Sequence, residues 1–318
     1  MKTSFFLLVL VVLAAVTRSV ASERATVIVV AGAPGEDEYA TVFAQQVEAW
    51  KKVCAQAGAK PIMIGAEAGG ATSDRDLLKL ALETEIKTGT DEFWLVLVGH
   101  GTFNGKEAKF NLRGLDLAAT ELAEWLKPFQ RPLAIIATAS ASAPFLSKLA
   151  GQGRVVVSAT RSGNEQNYAR FGKFFAEAIG DAKSDLDKDG QISLLEAFLS
   201  GSQRTAEFYK TEGRLATEHA LMDDNGDGLG TPADWFRGVR ATKQAKDGAT
   251  LDGTRAHQFH LVRSAAEQQL PPDARARRDA LELKIAKLRE GKAKLVEAKY
   301  FAELEKLLLE LAAVYEGT

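Results

Sequence analysis

Between residues 185 and 196 the chain reads Asp-Leu-Asp-Lys-Asp-Gly-Gln-Ile-Ser-Leu-Leu-Glu, with oxygen-bearing side chains at regular intervals. Asp185, Asp187 and Asp189 supply carboxylates at the first, third and fifth positions of this run. Gln191 offers a backbone carbonyl, Ser193 a contact through water, and Glu196 a carboxylate that can close the shell with both oxygens. Gly190 permits the sharp turn such a loop needs. Four carboxylates this close repel one another unless a cation lies among them, and an all-oxygen donor set suits a hard ion, Ca2+ above all. An acidic, solvated turn is the alternative. The match at every ligand position favours the ion.

This spacing is that of the EF-hand loop, and helices predicted over 168–179 and 194–209 would flank it. A degenerate second copy spans residues 223–234, with Asp223, Asn225 and Asp227 at its first, third and fifth positions. Gly228 takes the turn, Leu229 offers its carbonyl, and Asp234 closes the run with a shorter side chain than glutamate. Gly230 stands where Ile192 stands in the first loop, so ordinary pairing between the two loops is not expected.

Nucleophilic chemistry has its own candidates. Two apolar runs, 93–98 and 133–137, end in unusual loops: Gly99-His100-Gly101, and Thr138-Ala139-Ser140-Ala141-Ser142-Ala143-Pro144. Such runs, rich in branched residues and separated by helix-like segments, read as buried strands of a parallel sheet. Ligands collect at the carboxyl ends of those strands, where both loops would sit. A histidine on one loop and a small hydroxyl residue on the next is the arrangement of a nucleophile with its base.

Val98-Gly99-His100-Gly101, followed about forty positions on by Ala139-Ser140-Ala141-Ser142-Ala143, resembles the signature of the caspase, legumain and gingipain group of cysteine peptidases. The resemblance extends over roughly residues 26–180. It implies His100 as acid/base, Gly101 as oxyanion donor, and the position of Ser140 as nucleophile. It also implies that the loop after the fifth strand lines the substrate pocket, with Ser158, Arg161 and Glu165 as binding residues and Arg161 favouring an acidic side chain. This chain departs from the pattern in two places: Ser140 stands at the cysteine position and Ala143 at the glycine. A hydroxyl is far less acidic than a thiol and needs a base oriented by a third group, which the sequence does not reveal.

The expected fold is therefore α/β: a caspase-like, mostly parallel sheet with helices on both faces, an inserted EF-hand-like helical region and a C-terminal helical hairpin. Strands at 26–31, 61–64, 93–98, 133–137 and 154–159 alternate with helices at 38–57, from 73, and 117–129. The divisions are a signal peptide at 1–21, the α/β domain at 22–180, the calcium-binding region at 181–240, a return segment at 241–270 and the hairpin at 271–318. Met1-Lys2, an apolar run to Val16 and Ser19-Val20-Ala21 read as a secretory leader cleaved after Ala21, too short for a membrane span. A secreted or periplasmic protein is the expectation.

Other motifs take structural readings. The turn Gly32-Ala33-Pro34-Gly35 lacks the lysine of a phosphate loop, and Glu36, Asp37 and Glu38 would repel phosphate. Cys54, the one cysteine, reads as a core residue. His257 and His260, placed on a strand, would face opposite sides with no cysteine or carboxylate cluster nearby, which argues against a metal role. Past Pro271-Pro272, Leu281, Ile285 and Leu288 form one apolar stripe and Phe301, Leu304, Leu308, Leu311 and Tyr315 another, leaving helix-mediated association open. A net charge of −2 and a pI near 6.2 give no basic field for nucleic acid.

These observations lead to an exported, Ca2+-binding, peptidase-like chain that binds a peptide or protein with cutting absent or strongly impaired. An active hydrolase using Ser140 (or Ser142) with His100 is one alternative. A calcium-stabilised structural module is the other.

Overall fold

The structure, a computed structural model, describes residues 24–67 and 69–316. The predicted signal peptide lies outside them. In chain order the first elements are β1 (Thr26–Ala31), α1 (Asp37–Ala57), β2 (Lys60–Ile64), α2 (Asp74–Thr84) and β3 (Phe93–Val98). A small three-stranded sheet follows from β4 (Gly101–Phe103), β5 (Ala108–Phe110) and β6 (Leu117–Ala118). Next come α3 (Ala119–Leu126), β7 (Leu133–Ala137), α4 (Ala143–Leu149), β8 (Arg154–Ser158), α5 (Phe171–Ala178) and α6 (Leu194–Thr211). The remainder holds β9 (Leu221–Asp223), β10 (Thr231–Pro232), α7 (Thr254–Gln258), α8 (Ala265–Gln269), α9 (Pro272–Glu290) and α10 (Glu297–Glu316).

The main sheet runs β10-β9-β8-β7-β3-β1-β2, parallel from β2 through β8 and antiparallel at β9 and β10. All six residues of β1 and of β3 are buried, as expected of parallel strands covered on both faces. The period of two divides them. Val27, Val29, Trp94 and Val96 face α1, α5 and α6, with Trp50, Phe171, Phe175 and Phe198. Ile28, Val30, Phe93 and Leu95 face α2, α3 and α4, with Leu78, Leu122 and Phe145. Each large side chain buried this way contributes about 1.5–3 kcal/mol. Cys54 is buried on the first face, where desolvation pushes its thiol up to about 11, so it is inert packing. The segment read as a separate calcium-binding region supplies β9 and β10 to this same sheet.

At the amino ends of the strands, one buried ion pair ties three of them together. Arg131, just before β7, contacts Glu85 Oε1 at 3.0 Å and donates to the carbonyls of Asp91 and Glu92 at 2.7 and 3.1 Å. Glu85 also accepts from the Thr26 hydroxyl at the start of β1.

The C-terminal hairpin forms, with Gly291 ending α9. Its second stripe is rotated from the expected one. Tyr300 and Val314 are buried and Leu304, Leu307 and Leu311 half-buried, whereas Phe301, Leu308 and Tyr315 are exposed. The run Leu307-Leu308-Leu309 leaves the phase of the helix open in the sequence pattern, and packing on α9 chooses one face. Among the described residues no helix is long and apolar enough to cross a membrane.

Candidate functional site

β3 and β7 are parallel neighbours paired Leu97 to Ala137, so the loops that follow them leave the same edge of the sheet. His100 and Ser140 thus share one rim. Gly101 is required there: a Cβ on it would lie 2.3 Å from the Ser140 carbonyl oxygen. That closeness lets the Ser140 hydroxyl accept from the Gly101 amide at 3.0 Å and donate to the Gly101 carbonyl at 3.1 Å. Ser140 is 2% exposed. Ala141, next along, has φ +54°, a left-handed conformation uncommon for a side-chain-bearing residue, and its amide donates to the Glu165 carbonyl.

The His100 ring turns to other company. Tyr39, Phe43 and Tyr168 surround it edge-on, with ring centroids 4.6, 5.2 and 5.8 Å away. Burial lowers its pKa, opposed by a hydrogen bond to the Pro34 carbonyl and by the charge of Glu36. Ser142, the alternative nucleophile, is 1% exposed and accepts from the Ala159 amide at 3.0 Å. The rim therefore holds both predicted side chains, while their hydrogen bonds run to the backbone rather than to each other.

Of the predicted pocket residues, Ser158 is fully buried and donates to the Thr160 carbonyl at 2.9 Å. Arg161 is exposed, with Nε 3.2 Å from Glu165 Oε1. Glu165 has a further partner that the sequence did not indicate, His219, whose Nδ1 lies 2.6 Å from Glu165 Oε1 and whose amide donates to Oε2. His219 arrives because β9 pairs with β8 antiparallel, Leu221 against Ser158. Nothing local in the sequence marks it. Its neighbour Glu218, buried and with its pKa raised by desolvation, accepts from the amides of Arg170 and Phe171 and from the Tyr209 hydroxyl.

Oxygen donors gather again at the first acidic loop. Ligand atoms of Asp185, Asp187 and Asp189 lie within 4.8 Å of one another. The Gly190 amide donates to Asp185 Oδ2, and Gly190 has φ +87°, the conformation for which glycine was needed. Asp187 and Asp189 accept from the amides of residues 189 and 191. Ser193 caps α6 and exchanges hydrogen bonds with Glu196, which is 1% exposed. Glu196 Oε1 also accepts from the amides of Leu186 and Asp187, at 2.7 and 3.3 Å. Three convergent aspartates, the Gln191 carbonyl, Ser193 and Glu196 fit an oxygen-coordinated cation.

The second loop repeats the turn but not the closure. Asp223 accepts from the Gly226 and Gly228 amides, Asn225 Oδ1 from Asp227, and Asp227 Oδ1 from Leu229. Asp234, however, lies exposed on a short 3-10 turn, and Asp227 Oδ2 is taken by the Ala249 amide. A carboxylate from outside the loop, Asp252, enters instead, accepting from the Asp224 and Asn225 amides and the Thr231 hydroxyl. Burial beside Asp224 and Asp223 pushes Asp252 up to about 8, and burial pushes Asp223 up to about 6. Packed in this way, the second loop is closed by a neighbouring acid and fits a cation less well than the first.

The two remaining histidines require a correction. They lie not on a strand but in and just after α7, against the first loop. His257 Nε2 is 2.9 Å from Asp187 Oδ2, so a carboxylate cluster does lie beside it. His260 is buried, its Nδ1 3.2 Å from the Gln258 carbonyl. Desolvation pushes the His260 imidazole down to about 4. Between that value and its unfolded value the native state binds fewer protons, so stability is complete above about pH 6.5 and is lost as pH falls toward 4. The full loss is about 3 kcal/mol. Urea unfolding in EDTA at pH 7 and 4.5 checks it: His260→Gln is expected to remove about 2 kcal/mol of the pH dependence. An unchanged dependence in the variant would assign it to other groups.

No protein-family model matches the chain, and no curated protein does. Among solved structures the chain is similar to the Drosophila initiator caspase Dronc, at 11% identity and a TM-score of 0.41, covering 64% of this chain and 81% of that one. It is similar to caspase-1 from Spodoptera frugiperda at 10% identity and a TM-score of 0.42, covering 63% and 86% respectively. Protein GSU0716 from Geobacter sulfurreducens matches at 10% identity and 0.42, covering 65% of this chain and 97% of that one. Similarity at this level carries no activity over to this chain.

Proposed function

We propose that this chain is a Ca2+-binding pseudopeptidase, which holds a peptide or protein at the rim of its sheet without cutting it. The observation that carries this reading is the pair of hydrogen bonds between the Ser140 hydroxyl and the Gly101 backbone. A nucleophilic hydroxyl must pass its proton to a base, and here the proton points to a carbonyl. An oxyanion donor must be unoccupied until charge develops, and the Gly101 amide is engaged by that same hydroxyl. Ca2+ is placed in the first loop, on Asp185, Asp187, Asp189, the Gln191 carbonyl, Ser193 and Glu196, where its chemistry is to neutralise converging carboxylates. The second loop, on Asp223, Asn225, Asp227, the Leu229 carbonyl and Asp234, is the weaker candidate. With residues 1–21 read as a leader, the protein is an exported one that meets abundant calcium.

The fluorophosphonate probe for serine hydrolases tests the catalytic half. Wild type is expected to remain unlabelled and to cleave a mixed peptide library no faster than Ser140→Ala. Labelling of wild type that Ser140→Ala abolishes, with a rate lower by about 10³ or more, would instead establish the hydrolase.

A further inference from the structure

His257 comes from α7, about seventy positions beyond the first acidic loop, yet its Nε2 lies 2.9 Å from Asp187 Oδ2. The ligand atoms of Asp187, Glu196 and His257 are all within 4.8 Å of one another. This donor set differs in kind from the aspartate fan next to it. Oxygen-only groups suit calcium and magnesium, whereas an imidazole with two carboxylates suits a borderline divalent ion. Asp187 belongs to both groups, with Oδ1 turned into the loop and Oδ2 toward the imidazole.

A second observation points to an ion independently. His260 is 6% exposed, and its Nε2 has no hydrogen-bond partner among the described residues. With Nδ1 on the Gln258 carbonyl, Nε2 carries the lone pair, the tautomer in which a histidine binds metal. The His257 and His260 rings are 6.3 Å apart, and both line one groove of about 550 Å³ together with Asp189 and Gln191. A buried imidazole nitrogen left without a donor is costly, and a water carried by an ion on the neighbouring His257 would supply that donor.

We propose that His257, Asp187 and Glu196 form a binding site for a divalent transition ion of the zinc type, with His260 lining the same groove. Binding takes the His257 imidazole in its neutral form, with the lone pair on Nε2 and the ring proton on Nδ1, so the hydrogen bond to Asp187 Oδ2 is exchanged for coordination by both groups. Glu196 keeps its two contacts with Ser193 through Oε2, and the ion replaces the longer contact of Oε1 with the Asp187 amide. The site rests on the same loop as the calcium reading, because the two ions share Asp187 and Glu196, but it stands on His257, which calcium does not need.

Isothermal titration of the full chain with ZnCl2, and separately with CaCl2, tests it. Wild type is expected to bind Zn2+ saturably. His257→Ala is expected to weaken Zn2+ by about tenfold or more while changing Ca2+ affinity by less than about threefold. His257→Gln guards against a folding defect in the alanine variant, and Glu124→Ala, an exposed acid on α3 away from both sites, is the control expected to leave both isotherms unchanged. Zn2+ binding that depends on His257 in a chain that ignores Ca2+ supports the site and removes only the calcium reading. Absent Zn2+ binding, or an isotherm indifferent to His257, overturns the site.

Discussion

Arg131→Ala is expected to destabilise the chain by about 3–5 kcal/mol, the cost of leaving a buried charge without its partner. Arg131 and Glu85 have side chains only 4% and 5% exposed, so water cannot take over the lost contact. The guanidinium also satisfies the Asp91 and Glu92 carbonyls, which would be left bare at the entry to β3. Urea unfolding followed by circular dichroism measures the loss. The double variant Arg131→Met with Glu85→Leu is expected to recover only the share due to the unpaired charge, since the Asp91 and Glu92 carbonyls and the Thr26 hydroxyl still lose their partners. A single-variant loss below about 1 kcal/mol would mean that water reaches the pair.

Glu196→Ala is expected to act twice. Without any ion it removes the acceptor for the Leu186, Asp187 and Ser193 amides and one half of the capping box of α6, costing about 2–3 kcal/mol. It also removes the closing ligand of the first loop. Wild type at a hundredfold excess of Ca2+ over Kd should gain about 2.7 kcal/mol, and the variant should gain almost nothing at the same concentration. Thermal melts in EDTA and in CaCl2 separate the two effects. A wild-type melt indifferent to Ca2+ removes the calcium assignment and leaves the structural loss intact.

Most of the fold was legible because its strands are written as short branched runs that a parallel sheet buries on both sides. β1, β3, β7 and β8 fall where Val, Ile and Leu cluster, and Asp185, Asp187 and Asp189 converge on one turn as their spacing leads one to expect. What was not legible came from long-range packing. α7 has five residues and no periodicity to detect, so the approach of His257 to a loop 70 positions away has no local signature. His219 and Asp252 are single residues made relevant by an antiparallel strand and a returning segment. At the rim, the types and positions of His100 and Ser140 could be read, but the direction of the Ser140 hydroxyl could not. That direction depends on how closely Gly101 lets two loops approach.

One consequence concerns α6. Its first turn carries Ser193 and Glu196 of the acidic loop, and its eighteen residues form a rod about 27 Å long. Near the far end Tyr209 bonds Glu218, whose neighbour His219 holds the Glu165 whose carbonyl anchors Ala141, the residue after Ser140. Loop and rim are thus joined through α6 by one continuous series of contacts. Coupling along it is reciprocal: the factor by which a peptide at the rim would change the loop's affinity for a cation is the factor by which that cation would change the affinity for the peptide, whichever its sign.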